Sequence, residues 1–296
     1  MKNLIIYLLY KMNDNIFLFT IGRMNPPTPG HIQLISVMME KAIEIGVKNI
    51  YILLSSTIDN EKNPLECEEK RRLLYGNGIN AAKNIVSQKW NNKIQEETQE
   101  QEKESLLSQL NTLNILNVEI ICFNDETELE YGSHPIMSKI RFILDKFFNY
   151  NSNKLNNNAE IKAILVIGED RGNSYNFIKD ALNNYQPPID VEIEVVKRPE
   201  GAISATIIRQ LVLSNDPLDT DKFKKYMSSM NVSDEESNYI LKEIRGNIVI
   251  KEPKKRKVGS GGSKRNTKKR KPNYKKKSNK RKKTKRYNKN YTNRYK

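Results

Sequence analysis

The chain has 296 residues, 37% of them hydrophobic and 29% charged, which suits one large α/β domain with appendages. Its formal charge of +16 is unevenly placed: from Lys251 onward there are 23 Lys or Arg and one acid, Glu252, while the preceding residues hold 28 basic and 34 acidic side chains, a net of −6. The body is therefore no polycation, and any inference from basicity to nucleic acid belongs to the tail. Two cysteines without CxxC spacing, Cys67 and Cys122, read as ordinary semi-buried thiols of a reducing compartment and offer neither a disulfide framework nor a thiolate metal site.

In chain order, Leu4 to Tyr10 (LIIYLLY) is apolar but far short of the ~20 residues that span a bilayer. Lys11, Asp14 and the lack of a small-residue cleavage site argue against a signal peptide. Residues 1–14 are expected to be dispensable, with Met12 an alternative start. Five apolar, β-branched runs follow: Ile16 to Ile21, Ile50 to Leu54, Val118 to Phe123, Ala163 to Ile167 and Val191 to Val196. Their length predicts strands, and their continuity predicts burial on both faces. Helical patterns lie between them. His31 to Ile45 puts Ile35, Met38, Met39, Ala42 and Ile43 on one stripe before Gly46; Ile136 to Phe148 and Ser174 to Leu182 are others. The alternation predicts a Rossmann-like, doubly wound parallel α/β sheet of five strands.

Two segments depart from that pattern. The Gln/Glu-rich stretch 87–110 predicts an exposed polar helical insertion, and Asn149 to Asn158 an Asn-rich loop. Past the fifth strand, Asp221 to Ser229 and Ser233 to Ile244 predict two short helices in an extension over 215–250, with Ser233 and Glu236 in capping-box spacing. The domain is thus expected over 15–250. From Lys251 a GSGGS linker, Gly259 to Ser263, leads into Lys/Arg/Asn/Tyr sequence that cannot bury a core and is expected to be disordered.

The segment with most chemistry is Gly22 to His31 (GRMNPPTPGH), between the end of the first strand and the start of a helix. Pro26, Pro27 and Pro29 stiffen it, Gly22 and Gly30 let backbone come close to a ligand, and the helix N-terminus favours phosphate. Thr28-Pro29-Gly30-His31 resembles the (H/T)xGH signature of the nucleotidylyltransferase superfamily, and the wider string resembles its nicotinamide-mononucleotide adenylyltransferase-like branch. The resemblance implies that His31 donates a hydrogen bond to an α-phosphate, with Thr28 in place of a first histidine and unable to carry charge. Arg23 would neutralise phosphate.

Ile203 to Arg209 (ISATIIR), after the last strand, is similar to the family's ISxTxxR signature. Ser204 or Thr206 can cap a helix there, and Arg209 lies about one turn beyond, so hydroxyls, amides and a guanidinium could meet β- and γ-phosphates. Gly168-Glu169-Asp170 resembles the GxD element, whose acid lies near the nucleotide. Asn63, Lys70 and Arg71 stand where related enzymes carry a basic segment that could meet acceptor or triphosphate; His134 receives no role.

The resemblance, covering about Ile16 to Ser214, implies transfer of a nucleoside monophosphate from an NTP, ATP first, to a small phosphorylated acceptor with release of pyrophosphate. Mg²⁺ would travel with the triphosphate. An NMN-like acceptor is favoured; cytidylyl transfer or adenylyl transfer to phosphopantetheine stay open. Within the tail, Pro253 to Val258 resembles a nuclear-localisation cluster, which points to a cytoplasmic or nuclear protein, and interleaved Tyr274, Tyr287, Tyr291 and Tyr295 suit nucleic-acid binding. Such tails resemble those of large DNA viruses, which leaves a second class open: a nucleic-acid-binding viral protein with an inactive nucleotidylyltransferase domain.

Overall fold

Five strands form one parallel sheet in a computed structural model that describes residues 13–58, 62–122, 131–132, 134, 136–151, 160–198, 203–214, 216–230 and 232–247. The apolar run at 4–10, most of the Asn-rich stretch, the linker, the localisation-like cluster and the basic tail lie outside those residues. The strands are β1 (Ile16–Gly22), β2 (Asn49–Leu54), β3 (Asn117–Ile121), β4 (Ile161–Gly168) and β5 (Ile189–Val196), in the order β3-β2-β1-β4-β5. In β1, Leu18 pairs with Ile50 on one side and Ile164 on the other, so the strand is central. The order reverses between β1 and β4, and the carboxyl ends at such a switch point are where open α/β sheets bind ligands.

Period-two alternation gives the sheet two cores. Leu18, Ile50, Ile52 and Val166 face one way, against α1 (Pro29–Ile45), α2 (Cys67–Leu73) and α3 (Ile79–Glu96). Phe17, Phe19, Leu53 and Leu165 face the other, against Ile140, Ile143, Leu144 and Phe147 of α5 (Met137–Asn151) and Ile178 and Leu182 of α6 (Asn176–Asn183). Between α3 and β3 lies α4 (Glu100–Thr112). Each fully buried Leu, Ile, Met or Phe contributes roughly 1.5–3 kcal/mol, so this double-sided burial is what makes β1 and β4 a rigid floor for the loops above them.

Beyond β5 come α7 (Ala205–Leu213), α8 (Pro217–Ser228) and α9 (Asp234–Asn247). Phe223, Met227, Ile240 and Ile244 join the same core as Ile208 and Val212 of α7. The two extension helices thus brace α7, whose N-terminus reaches the ligand end of the sheet. The Glu236 N–H donates to Ser233 Oγ at 3.2 Å, the predicted cap of α9.

The expectations fail at four places. The edge strand β5 is not buried on both faces: Val195 is exposed, while Glu192 and Glu194 pair with Lys41 of α1 and Glu192 also with Lys162. The polar stretch 87–110 is not all solvated insertion, because α3 turns Val86, Trp90 and Ile94 inward and Trp90 is only 2% exposed. Only α4 buries no residue. The Asn-rich loop begins late, since Asn149–Asn151 end α5, and Asn151 Nδ2 donates to the carbonyl of Asp14 at 2.7 Å.

The fourth concerns the cysteines, which are not thiols. Cys67, first residue of α2, is disulfide-bonded to Cys122 just past β3. Parallel neighbours β2 and β3 carry the two residues to the same end of the sheet, a tertiary effect that spacing along the chain does not show. The bond closes a loop of 55 residues, and loop-closure entropy of that size corresponds to roughly 4 kcal/mol at most, more often 2–4. Cys67→Ser with Cys122→Ser is accordingly expected to lose about 2–4 kcal/mol against the oxidised protein in urea titrations, and to match the wild type once both are measured under a dithiol reductant.

Candidate active site

The turn after β1 is built by three local devices. Met24 sits at φ 43° with its side chain buried, so the chain reverses sharply directly after Gly22. A Cβ on Gly22 would stand 3.3 Å from Met24 Cγ, so a larger residue there would press on the buried methionine. Asn25 then holds the turn from inside: its Nδ2 donates to the carbonyl of Leu65 at 2.8 Å, and the Leu65 N–H returns to its Oδ1 at 3.1 Å.

At the end of the turn Thr28 caps α1 with Pro29 in its first turn. The His31 N–H reaches Thr28 Oγ1 at 3.4 Å, and His31 replies through its ring: Nδ1 accepts from the Thr28 N–H at 3.0 Å and lies 2.9 Å from Thr28 Oγ1. This reciprocal capping box has a chemical consequence. A nitrogen that accepts from a backbone N–H carries no proton, so the neutral ring must bear its hydrogen on Nε2. Burial, then the guanidinium of Arg198, hold the His31 pKa down to about 4, with Asp170 opposing and Arg171 adding to the effect. His31 is thus a neutral donor at physiological pH.

Proton NMR offers a direct check, since His31 and His134 are the chain's two histidines. With His134→Gln removing the second signal, His31 is expected to titrate near pH 4 in the free protein, and higher when a triphosphate offsets the nearby arginines. Because this value lies below the ordinary 6.5, protonation favours the unfolded chain. The group's contribution to stability is whole above about pH 6.5 and is lost as pH falls toward 4.

Ser204, rather than Thr206, caps α7: its Oγ accepts from the Ile207 N–H at 3.2 Å. Thr206 instead accepts from Arg209 Nη2 at 3.1 Å, while Arg209 Nη1 donates to the carbonyl of Asn25 at 2.5 Å. One guanidinium therefore ties the α7 segment to the turn after β1, across 184 residues of sequence.

These pieces surround a cavity of about 190 Å³ at the switch point. Gly22, Arg23, Thr28, Gly30 and His31 from the first turn line it, with Gly168 and Asp170 after β4 and Ser204, Thr206 and Arg209 from α7. A Cβ on Gly168 would meet Asp170 Oδ1 at 2.9 Å, so a larger residue there would push that carboxylate aside. Asp170 lies 3.7 Å from Arg198 Nη2 and 3.9 Å from Arg171 Nε, and Glu169 Oε1 accepts from the Arg198 N–H.

The remaining expected residues lie elsewhere. Lys70 is fully buried in α2, Asn63 is buried before it, and Arg71 is half-buried and paired with Glu68 at 2.6 Å; none of the three lines the cavity. Lys70 Nζ donates to the carbonyl of Ser55 at 2.6 Å, and burial, then the charge of Lys139, bring its pKa down to about 8. His134 accepts through Nδ1 from the Ile136 and Met137 N–H groups at 3.3 Å, a local turn.

Four cations of the wall were not anticipated: Lys62, Arg171, Lys197 and Arg198. With Arg23 and Arg209 they make six positive side chains around the cavity, against Glu169 and Asp170. The one available signal was position, since Lys197 and Arg198 directly follow β5 and Arg171 follows the 168–170 turn, all at carboxyl ends of the sheet. Such a site suits a polyanion bearing several phosphate groups.

No protein-family model matches the chain, and no curated protein matches it. A solved structure described as a "putative nicotinate-nucleotide adenylyltransferase" from Vibrio parahaemolyticus aligns with 73% of this chain and 94% of its own, at 13% identity and a TM-score of 0.35. A likeness that low carries no argument about activity.

Proposed function

We propose that this chain is a nucleotidylyltransferase that moves a nucleoside monophosphate, ATP being the first donor, onto a small phosphorylated acceptor. The observation that carries the reading is convergence: the Gly22–His31 turn and the Ser204–Arg209 segment, each resembling a signature of that superfamily, share one six-cation cavity and are joined by the Arg209–Asn25 hydrogen bond. An acceptor phosphate oxygen attacks the α-phosphorus in line, the bond from α-phosphorus to the bridging oxygen breaks, and pyrophosphate leaves. The Nε2–H of His31 donates to the α-phosphoryl oxygens as their charge grows, and Arg209 with the α7 N-terminus holds the departing pyrophosphate.

Mg²⁺ would enter on the triphosphate and offset its charge. Among the described residues no three His, Cys, Asp or Glu are grouped to hold an ion themselves, and Glu169 and Asp170 are the wall carboxylates that could meet its hydration shell. The site fits the ion in that supporting way.

For the acceptor, the GRMNPPTPGH form favours NMN, with cytidylyl transfer and phosphopantetheine as alternatives. The test is pyrophosphate release from ATP or CTP with Mg²⁺, screened against NMN, phosphocholine, glycerol 3-phosphate and phosphopantetheine. The tail supports a second reading, nucleic-acid binding by 251–296, from its net charge of +22. Deleting Lys251 to Lys296 is expected to abolish salt-sensitive DNA or RNA binding and leave pyrophosphate release intact. Nucleic-acid binding by the full chain with no pyrophosphate release from any pair would favour an inactive domain.

A further inference from the structure

Cys67 opens α2, and two residues before it Leu65 holds the side chain of Asn25 with both of its backbone groups. Asn25 is buried, and its own carbonyl is where Arg209 Nη1 rests at 2.5 Å. The end of β3 is therefore joined to the wall of the six-cation cavity through a short series of residues: Cys122, Cys67, Leu65, Asn25 and Arg209. Of these links only the first can be made and broken by redox chemistry.

The rest of α2 has anchors that do not need the disulfide. Lys70 Nζ donates to the Ser55 carbonyl at 2.6 Å, and Arg72 pairs with Glu236 of α9 at 2.8 Å. Just past the helix, the Tyr75 phenol accepts from the Ile120 N–H at 3.0 Å and donates to the Val118 carbonyl at 3.3 Å along β3. At the start of the helix, by contrast, Glu66 in the cap position makes no side-chain cap bond, and the disulfide ties that end to the sheet. The Leu65 side chain lies in the core, so breaking the disulfide changes the spacing at this end without unfolding it. Cys122 is half-buried whereas Cys67 is buried, so Cys122 is the side from which a small thiol reaches the bond.

We propose that Cys67 and Cys122 form a redox site, reduced by a dithiol, whose oxidised state sets the grip of the six-cation cavity on polyphosphate. One thiolate of the dithiol attacks a cystine sulfur, the S–S bond breaks, and a mixed disulfide forms as the other cysteine leaves as thiolate. The second thiol of the reductant then displaces the remaining cysteine. The reductant departs as its own disulfide, and two electrons and two protons have passed to the chain, which now holds two thiols. Freed from Cys122, the start of α2 and Leu65 gain play, Asn25 loses its fixed position, and the carbonyl under Arg209 moves with it. Polyphosphate binding, not turnover, is what the bond sets, so this holds whether or not pyrophosphate is released. Linkage is reciprocal: polyphosphate in the cavity makes the bond harder to reduce by the same factor.

The experiment is calorimetric titration of the full chain with inorganic tripolyphosphate, first oxidised and then under excess dithiothreitol. Reduction is expected to weaken binding about 5-fold or more, the low end of coupling between two sites, and a mild oxidant should restore it. Cys67→Ser with Cys122→Ser should bind weakly in both conditions. Asn25→Ala should bring the ratio of oxidised to reduced affinity close to one, because it cuts the series between the cysteines and Arg209. General loosening of the fold would not produce that result.

Equal affinity in the two redox states of the wild type would overturn the proposal. So would a full redox ratio in Asn25→Ala, loss of helical circular dichroism on reduction, or absence of tripolyphosphate binding by the oxidised chain. The wild-type comparison decides it even where a variant does not fold. Failure here is distinct from failure of the enzymatic reading: pyrophosphate release and tripolyphosphate binding both indifferent to dithiothreitol would leave that reading standing while removing this one.

Discussion

His31→Ala is expected to lower kcat by about 10²–10³-fold, the range for loss of one preorganised donor to a developing oxyanion, with KM for ATP changed little. The reasoning runs through the tautomer. Because the Thr28 N–H occupies Nδ1, the ring presents Nε2–H with no rearrangement needed at the moment of reaction. A donor already fixed strengthens as charge grows on the α-phosphoryl oxygens and adds less to ground-state binding, hence a fall in kcat rather than a rise in KM. The same substitution removes half of the capping box, which costs about 1 kcal/mol of stability, so activity is compared well below the midpoint of thermal unfolding. His31→Asn keeps a neutral donor on a shorter side chain and should recover part of the loss. Unchanged pyrophosphate release in a folded His31→Ala protein would remove His31 from the chemistry.

How much of this was legible in the sequence follows from how local each feature is. The five strands and α1 are written in runs whose neighbours along the chain determine them, such as IFLFTIG and the stripe from Ile35 to Ile43. The capping of α1 and α7 is likewise local, because Thr28 and Ser204 act within three residues. By contrast α3, past Ile79, Ala81 and Ala82 at its start, shows its inner face at Val86, Trp90 and Ile94, four residues apart amid Asn, Lys and Gln, so its mean polarity conceals a core helix. Likewise, α2 runs into a π-turn, Leu74–Gly78, which apolar periodicity does not mark. The disulfide and the four extra wall cations both depend on which strand ends lie side by side. That is a property of the order β3-β2-β1-β4-β5, which alternation alone does not specify.

Arg209→Lys is expected to be nearly as harmful as Arg209→Ala, lowering kcat/KM by about 10²-fold, though it preserves charge. The guanidinium has two tasks that need its fork. Nη1 reaches the carbonyl of Asn25 at 2.5 Å and Nη2 reaches Thr206 Oγ1 at 3.1 Å, so the planar group fixes the spacing between the turn after β1 and the first turn of α7. An ammonium is a single point and cannot bridge both while facing a leaving pyrophosphate. Asn25 makes this spacing heritable through the fold, since its side chain is clamped to Leu65 from the other side. Asn25→Ala should therefore reproduce part of the Arg209→Lys defect without touching any charge, by freeing the carbonyl on which Arg209 rests. If the two substitutions act through the same contact, combining them costs less than the sum of the separate losses, and a double-mutant cycle on kcat/KM measures the difference. Strict additivity would show that Arg209 meets the pyrophosphate independently of Asn25, and an active Arg209→Lys protein would show that charge alone suffices.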